Sequence, residues 1–184
     1  MLSYDYVHRT GVEVISWERF GQLAATLTEG LAAFNIDAIV GIARAGLFPA
    51  TAVACALRRE LYPVRVTRRL NDQVVYPQPI WKVAVSPDVA GKVVAVVDEM
   101  ADTGESLTLV ASRVAELGAA RVITASLVAH SWAQPRPEVA AVITDALVIF
   151  PWDRQVYVNG QWQPHPELAE ALRLQGLDSQ ESNG

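Results

Sequence analysis

The sequence predicts an α/β fold built on a mostly parallel, five-stranded sheet flanked by helices. Short apolar runs alternate along the chain with segments whose apolar residues recur at helical spacing. One run, residues 93–97, is apolar on both faces, which is typical of a central strand in a parallel sheet. Hydrophobic residues make up 51% and charged residues 19% of the 184 residues, so the chain can bury enough apolar surface to fold.

The first half of the chain supplies two helices and two strands. Apolar residues at helical spacing predict a helix over residues 17–34, and residues 36–42 are expected to form a short buried strand. Pro49 suits the first position of a helix, so a helix of small residues is predicted over 50–57. Residues 64–67 are the second predicted strand.

The second half of the chain continues the alternation of strands and helices. After the strand at 93–97, a helix is predicted over 106–117, and Gly118 stands at the position where glycine commonly ends a helix. Residues 122–128 and 146–150 complete the five predicted strands. This order of elements indicates a sheet that is mostly parallel.

The C-terminal region carries two smaller signals. Residues 156–162 predict a β-hairpin, because Asn159-Gly160 suits the type I′ turn that joins adjacent antiparallel strands. Residues 166–174 predict a short helix.

One connection is unusually long for a compact domain. Residues 69–91 contain three prolines and no regular period, and long connections of this kind are usually functional or mobile. Residues 1–163 are expected to form one domain. Residues 164–184 are then a C-terminal helix and tail.

The composition excludes several classes of protein. Fifteen basic and twenty acidic residues give a net charge of −5, which opposes non-specific binding to nucleic acid. A single cysteine, Cys55, cannot form an intramolecular disulfide and is expected in the core. The most apolar window, residues 38–57, carries Arg44 in its middle, so a membrane span is not expected. These features predict a soluble cytoplasmic protein.

The segment from residue 93 to residue 107 carries the chemistry. Its buried strand ends in two adjacent carboxylates, Asp98 and Glu99, at the edge where open α/β sheets bind ligands. The turn at 102–106 then enters a helix, where backbone N–H groups and two hydroxyls can bind an anion. Acids beside such a turn suit a ligand that also offers hydroxyl groups or a divalent metal. A purely structural alternative is that Asp98 and Glu99 are turn residues and that Asp102 is a helix N-cap. The order of buried strand, acidic pair, turn and helix favours a ligand site instead.

This segment resembles the signature of the type I phosphoribosyltransferase family: four hydrophobic residues, two acids, two variable residues, then Asp/Thr-Thr-Gly-x-Thr/Ser. Residues 39–49 are similar to the family's pyrophosphate loop, and residues 150–153 to the hood of its 6-oxopurine branch. The resemblance implies that about residues 69–91 form a mobile lid, and that the N-terminal segment plus about 130–163 form a small hood. The resemblance covers roughly residues 15–155 and is nearest to the small microbial hypoxanthine/xanthine/guanine phosphoribosyltransferases.

The resemblance implies a Mg²⁺-dependent enzyme that transfers ribose 5-phosphate from phosphoribosyl pyrophosphate (PRPP) to a nucleobase in purine salvage, releasing pyrophosphate. Asp98 and Glu99 would hold the ribose hydroxyls, directly or through the metal, and Asp102 would manage the proton of a purine. The residues implied for the 5′-phosphate are Asp102, Thr103, Gly104, Glu105 and Ser106. Those implied for pyrophosphate are Arg44, Ala45, Gly46 and, from the lid, Lys82.

The base site implied by the resemblance consists of His130, Trp152 and Asp153. His130 stands where the 6-oxopurine branch has a lysine for the O6 carbonyl, and an imidazole discriminates less sharply. Hypoxanthine or guanine is therefore expected ahead of adenine, with modest discrimination. The family also implies a homodimer, for which the tryptophans outside the motifs are interface candidates: Trp17, Trp81, Trp132 and Trp162.

Two alternatives remain open at this point. The chain can be a non-catalytic PRPP-sensing regulator of the same fold, which the missing lysine favours and the retained Asp102 opposes. It can also be a phosphoribosyltransferase for another base. No helix-turn-helix or basic extension points to DNA binding.

Overall fold

The structure, a computed structural model, describes residues 9–70 and 73–174. Its strands are β1 (Val12–Val14), β2 (Ala38–Ile42), β3 (Glu60–Thr67), β4 (Arg69–Leu70), β5 (Gln73–Val74), β6 (Ile80–Val83), β7 (Val93–Ala101), β8 (Arg121–Ala129), β9 (Val139–Ile143), β10 (Leu147–Ile149), β11 (Gln155–Val158) and β12 (Gln161–Pro164). Its α-helices are α1 (Trp17–Ala32), α2 (Leu47–Leu57), α3 (Glu105–Glu116) and α4 (Pro166–Leu174).

The described chain divides into two compact units. The larger unit comprises residues 22–70 and 73–144, and the smaller unit comprises residues 9–21 and 145–174. Residues 9–21 therefore belong with the C-terminal part of the chain rather than with the residues that follow them.

The larger unit contains a six-stranded sheet in the order β6-β3-β2-β7-β8-β9. All neighbouring pairs are parallel except β3 with β6, so the predicted mostly parallel α/β fold is confirmed. The predicted count of five strands is wrong for this sheet. Two edge strands, β6 and β9, were not predicted, because each is a short run that is not fully buried and follows a proline-containing loop.

The predicted strand at 146–150 does not join this sheet. Its central residues form β10, which pairs in parallel with β1 in a separate two-stranded sheet of the smaller unit. The edge position beside β8 is occupied by β9 instead. An apolar run predicts a strand but does not say which partner that strand takes.

The centre of the large sheet is apolar because its strands are covered on both faces. All five residues of β2 are buried, and one side of the sheet packs against α3 through Val40, Val64, Val96, Val110 and Val114. On the other side, a Cβ added to Gly41 would lie 2.7 Å from the Cβ of Ala50, so the small residues of α2 let that helix approach the sheet closely.

Helix boundaries agree with the predicted ones to within two residues, except at the start of α2. α2 begins at Leu47 rather than at Ala50, so Pro49 is its third residue. A proline is tolerated there because the first four N–H groups of a helix have no partner within it. Gly118 has φ +87°, as predicted for the residue that ends α3.

The segment predicted as a lid is more ordered than its composition suggested. β4 and β5 form a short antiparallel pair, and β6 returns to pair with β3 in the central sheet. A single 3₁₀ turn over Pro87–Val89 follows. The described part of this segment therefore contains three short strands and one 3₁₀ turn.

The smaller unit contains the predicted hairpin and terminal helix. β11 and β12 pair across Asn159 and Gly160, whose φ angles are +51° and +80°, as a type I′ turn requires.

The prediction that Cys55 is in the core is wrong, because its side chain is exposed on α2. Among the residues described, no helix combines the length and apolar character needed to cross a membrane.

Candidate active site

The two acids stand near the C-terminal end of the central strand β7. Asp98 is only 7% exposed, and its Oδ1 accepts a hydrogen bond of 3.0 Å from the backbone N–H of Glu99. Burial raises the pKa of Asp98 well above its ordinary range, and the neighbouring Glu99 carboxylate raises this pKa further. A buried acid at a strand end is costly to keep charged, which indicates that a cationic or hydroxyl-bearing ligand completes the site.

The turn after β7 enters α3 through Gly104. Gly104 has φ +87° and precedes the first residue of the helix, so the N–H groups of the first turn of α3 begin here. Thr103 Oγ1 accepts a hydrogen bond of 3.4 Å from the N–H of Glu105, which closes the turn. The structure thereby brings Asp102, Thr103, Gly104 and the start of a 12-residue helix together, as the sequence predicted for an anion site.

The loop after β8 packs directly on this turn. A Cβ added to Gly104 would lie 2.9 Å from the carbonyl oxygen of Pro135 and 3.1 Å from that of Gln134. The N–H of Gln134 donates a 3.1 Å hydrogen bond to the carbonyl oxygen of Thr103. Glycine is therefore required at 104 by its φ angle and by the close approach of this second loop.

The loop between β2 and α2 reaches the acidic pair from the neighbouring strand. The peptide bond between Ala43 and Arg44 is cis. A Cβ added to Gly46 would lie 2.6 Å from Oδ1 of Asp98, so the backbone of this loop lies against the acid. The structure thus brings Arg44, Ala45 and Gly46 to the same edge of the sheet as Asp98 and Glu99.

Lys82 lies on β6, at the end of the lid segment. Its Nζ is 5.9 Å from the centre of the Tyr76 ring, and Arg68 Nε donates a 3.3 Å hydrogen bond to the carbonyl oxygen of Tyr76. The structure places this lysine against an aromatic ring of the lid rather than against the loop at 44–46.

Asp102 is contacted by two aromatic side chains from the loop after β8. Trp132 Nε1 donates a 3.2 Å hydrogen bond to Oδ1 of Asp102, and His130 Nε2 lies 3.9 Å from the same oxygen. The two rings stack with centroids 4.3 Å apart and 20° between their planes. The sequence analysis did not assign Trp132 to the site. Its position two residues after His130, following a buried strand, is the sequence feature that could have indicated this.

The remaining predicted base residues belong to the smaller unit. Trp152 stacks on Phe150 with centroids 4.9 Å apart and 6° between the planes, and Phe20 meets its ring edge-on at 5.5 Å. The N–H of Asp153 donates a 3.1 Å hydrogen bond to the carbonyl oxygen of Phe150. Trp152 is thus part of an aromatic cluster that includes Trp17.

A divalent cation would find oxygen ligands at the acidic pair. No group of three or more His, Cys, Asp or Glu side chains that could hold a metal ion occurs within residues 9–70 and 73–174. Mg²⁺, however, is commonly bound by one or two carboxylates together with substrate oxygens and water. Asp98 and Glu99 fit that pattern, and a cation there would offset the cost of the buried Asp98 carboxylate.

Comparison with known proteins gives one family match. The family model for the phosphoribosyl transferase domain matches residues 16–158. No curated protein matches the chain.

Several solved structures are similar. A purine phosphoribosyltransferase from Pyrococcus horikoshii Ot3 is 28% identical with a TM-score of 0.69, covering 77% of this chain and 93% of that protein. A hypothetical protein from Neisseria gonorrhoeae with bound ppGpp is 20% identical with a TM-score of 0.68, covering 91% and 97%. The xanthine-guanine-hypoxanthine phosphoribosyltransferase of Helicobacter pylori is 18% identical with a TM-score of 0.58, covering 77% and 92%.

Proposed function

Because the chain belongs to the phosphoribosyltransferase family, we propose that it transfers the 5-phosphoribosyl group from PRPP to a purine base and releases pyrophosphate. The observation that carries the proposal is the meeting of three backbone segments at one edge of the sheet. The turn at 102–104 opens α3, the acidic pair ends β7, and the backbone at Gly46 lies against Asp98. The turn is proposed to bind the phosphate of PRPP, the acidic pair its ribose, and the loop at Gly46 its pyrophosphate.

The mechanism follows from the charges that develop at the sugar. The 5′-phosphate binds to the N–H groups at the start of α3 and to the hydroxyls of Thr103 and Ser106. Asp98 and Glu99 bind the ribose hydroxyls, and their negative charge stabilises the positive charge that builds up as the bond between C1′ and the pyrophosphate oxygen breaks. Asp98 and Glu99 would hold Mg²⁺, which would supply positive charge to offset the charge that develops on the departing pyrophosphate.

The acceptor base replaces pyrophosphate at C1′. A ring nitrogen of the base forms the new bond to C1′, and the proton displaced from the base goes to the carboxylate of Asp102. The loop at 44–46 binds the departing pyrophosphate through Arg44 and its backbone. Lys82 reaches it when the lid segment closes, which excludes water from the reactive sugar.

The proposed acceptor is a 6-oxopurine, with hypoxanthine or guanine preferred to adenine. The similar Pyrococcus protein, at 28% identity, is a purine phosphoribosyltransferase, which supports a purine. The segment from Phe150 to Asp153, which resembles the hood of the 6-oxopurine branch, supports the finer assignment. Trp152 and Asp153 are the residues of this segment proposed to contact the base.

The test is a pyrophosphate-release assay with pure protein, PRPP and a panel of nucleobases, with and without Mg²⁺. We expect release that requires the metal and is fastest with hypoxanthine or guanine. The variant to compare is Asp102→Asn, which preserves the size of the side chain but removes the proposed proton acceptor, and which should lose most of the pyrophosphate release. Release with adenine or a pyrimidine as the best acceptor contradicts the 6-oxopurine assignment, while no release with any base contradicts catalysis.

A second candidate is a regulator that binds PRPP without turning it over. His130 favours it, because this residue stands in place of the family's lysine and is fully buried. Calorimetry separates the candidates: a regulator binds PRPP but releases no pyrophosphate with any base. The proposed homodimer is tested by light scattering on the same preparation.

A further inference from the structure

We propose that His130 and Trp132 are positioning residues that fix the orientation of the Asp102 carboxylate, and that His130 acts through this carboxylate rather than by contact with the base. The proposal rests on the proposed function, because it assigns a role relative to the residue that receives the proton of the base. It replaces the expectation, drawn from the sequence, that the imidazole reads a carbonyl of the purine.

His130 is held in one orientation by the backbone around it. Its side chain is fully buried, and its Nδ1 lies 2.5 Å from the carbonyl oxygen of Thr144. A carbonyl oxygen can only accept a hydrogen bond, so Nδ1 carries the hydrogen and the neutral ring has its lone pair on Nε2. The N–H of Thr144 in turn donates a 3.1 Å hydrogen bond to the carbonyl oxygen of Ala129, which ties the acceptor to the end of β8.

The main chain at His130 is fixed to the strand that carries the acids. The N–H of His130 donates a 3.1 Å hydrogen bond to the carbonyl oxygen of Ala101, immediately before Asp102. Four residues later, Gln134 makes its bond to Thr103. The loop after β8 and the turn after β7 are therefore held together by backbone hydrogen bonds on both sides of Asp102.

The imidazole orients the indole, and the indole orients the acid. Trp132 lies parallel to His130 at stacking distance, and its Nε1–H donates the 3.2 Å hydrogen bond to Oδ1 of Asp102. The Nε2 edge of His130 faces this same oxygen at 3.9 Å. At 3.9 Å the lone pair on Nε2 does not hold the carboxylate, so the indole N–H restricts rotation of the carboxylate and His130 acts by stacking on that indole.

This arrangement explains why an aromatic side chain suits position 130. A flat imidazole provides a face for the indole of Trp132, whereas a lysine provides none. A hydrogen bond from N–H to a carboxylate is also stronger than one between neutral groups, so the indole holds Asp102 firmly. Proton transfer depends steeply on the position of the acceptor, and supporting residues of this kind typically change activity by about 10- to 100-fold.

The test uses two substitutions that each remove one contact. Trp132→Phe keeps the ring stacked on His130 but removes the N–H, and His130→Asn keeps a donor for Thr144 but removes the ring that stacks on Trp132. We expect kcat to fall by about tenfold in each, with the KM for PRPP within about twofold of the unchanged protein and little change in Tm. The matched control, Trp162→Phe on the exposed hairpin, should behave as the unchanged protein.

A third variant separates positioning from base contact. Under the proposal, His130→Lys loses kcat and does not sharpen the preference for 6-oxopurines. Full kcat in Trp132→Phe, or a His130→Lys variant that keeps kcat and discriminates better against adenine, would overturn the proposal.

An NMR measurement tests the geometry without any turnover. The ¹⁵N shifts of His130 in the ligand-free protein should report hydrogen on Nδ1, and Asp102→Ala should move the indole N–H resonance of Trp132. If the unchanged protein releases no pyrophosphate while both NMR results are as expected, the proposed function fails and the positioning of Asp102 stands. Hydrogen on Nε2 alone, or an unmoved indole resonance, contradicts the positioning itself.

Discussion

The phosphate side and the base side of the site are built in different ways. The proposed phosphate side is one continuous segment, β7, the turn at 102–104 and α3, which presents backbone N–H groups and adjacent acids. The proposed base side next to Asp102 is formed by aromatic side chains from the loop after β8. Local backbone geometry is specified by a few neighbouring residues, whereas a side-chain site needs several distant segments to be correctly placed.

The acidic pair gives the largest expected effect on the phosphate side. Asp98→Asn with Glu99→Gln should reduce pyrophosphate release by at least about 100-fold, because the charge that stabilises the sugar cation is lost. If this double variant loses less activity than Trp132→Phe, the phosphate side does not make the larger contribution to catalysis, which contradicts the prediction.

The same substitutions should not weaken the fold. Burial and Glu99 raise the pKa of Asp98 above the ordinary value of 3.8, so the folded protein binds this proton more tightly than the unfolded chain. Stability is therefore lost as pH rises from about 3.8 through the raised pKa, and Asp98→Asn avoids this loss. Thermal melts should show Asp98→Asn equal or superior in Tm at neutral pH, with the difference shrinking below pH 4; a large fall in Tm at neutral pH would make the pair structural.

A substitution at Gly104 tests the contact between the turn at 102–104 and the loop after β8. Gly104→Ala places a Cβ 2.9 Å from the carbonyl oxygen of Pro135 at a φ of +87°, and should lower the free energy of unfolding by about 1–3 kcal/mol and weaken PRPP binding. Gly118→Ala is a matched control, because Gly118 also has φ +87° but nothing lies within 4 Å of an added Cβ. Equal losses in the two variants, measured by denaturant unfolding, would mean that the loop after β8 does not press on the turn.

Gly46 tests how closely the pyrophosphate loop approaches the acids. A Cβ there would lie 2.5 Å from the carbonyl oxygen of Ile42 and 2.6 Å from Asp98 Oδ1, so Gly46→Ala must displace the loop. We expect a loss of about 1–3 kcal/mol in the free energy of unfolding and a higher KM for PRPP. Gly21→Ala, at a helical position with open space, should instead leave the KM unchanged and add up to about 1 kcal/mol of stability.

Thr103 gives the smallest expected effect. Thr103→Ala removes one hydroxyl from the turn but leaves its backbone N–H groups, so PRPP binding should weaken by about 1 kcal/mol in calorimetry. Thr26→Ala, whose hydroxyl donates to the Gln22 carbonyl in α1, controls for loss of a helix hydroxyl. Unchanged affinity in Thr103→Ala would assign the phosphate contact to the backbone alone.

The α/β class and the phosphate turn could be predicted from the sequence because both depend on short-range patterns. The apolar run at 93–97, the acids that follow and the glycine at 104 are neighbours in the chain, and their order restricts the backbone conformations available. The type I′ turn at Asn159 and Gly160 was predictable for the same reason. The number of strands in the central sheet was not, because β6 and β9 are short edge strands that are not fully buried.

By itself, the sequence therefore determined the order of elements, the acidic pair and the anion-binding turn. Only the tertiary structure decided which strands share a sheet, that Gly46 lies against Asp98, and that Trp132 and His130 converge on Asp102. These contacts join residues about 30 to 50 positions apart, and a sequence pattern restricts the conformation of neighbours but not the distance between separate loops. His130 shows the consequence: the sequence placed it after a buried strand, and packing alone directed its Nε2 toward an acid.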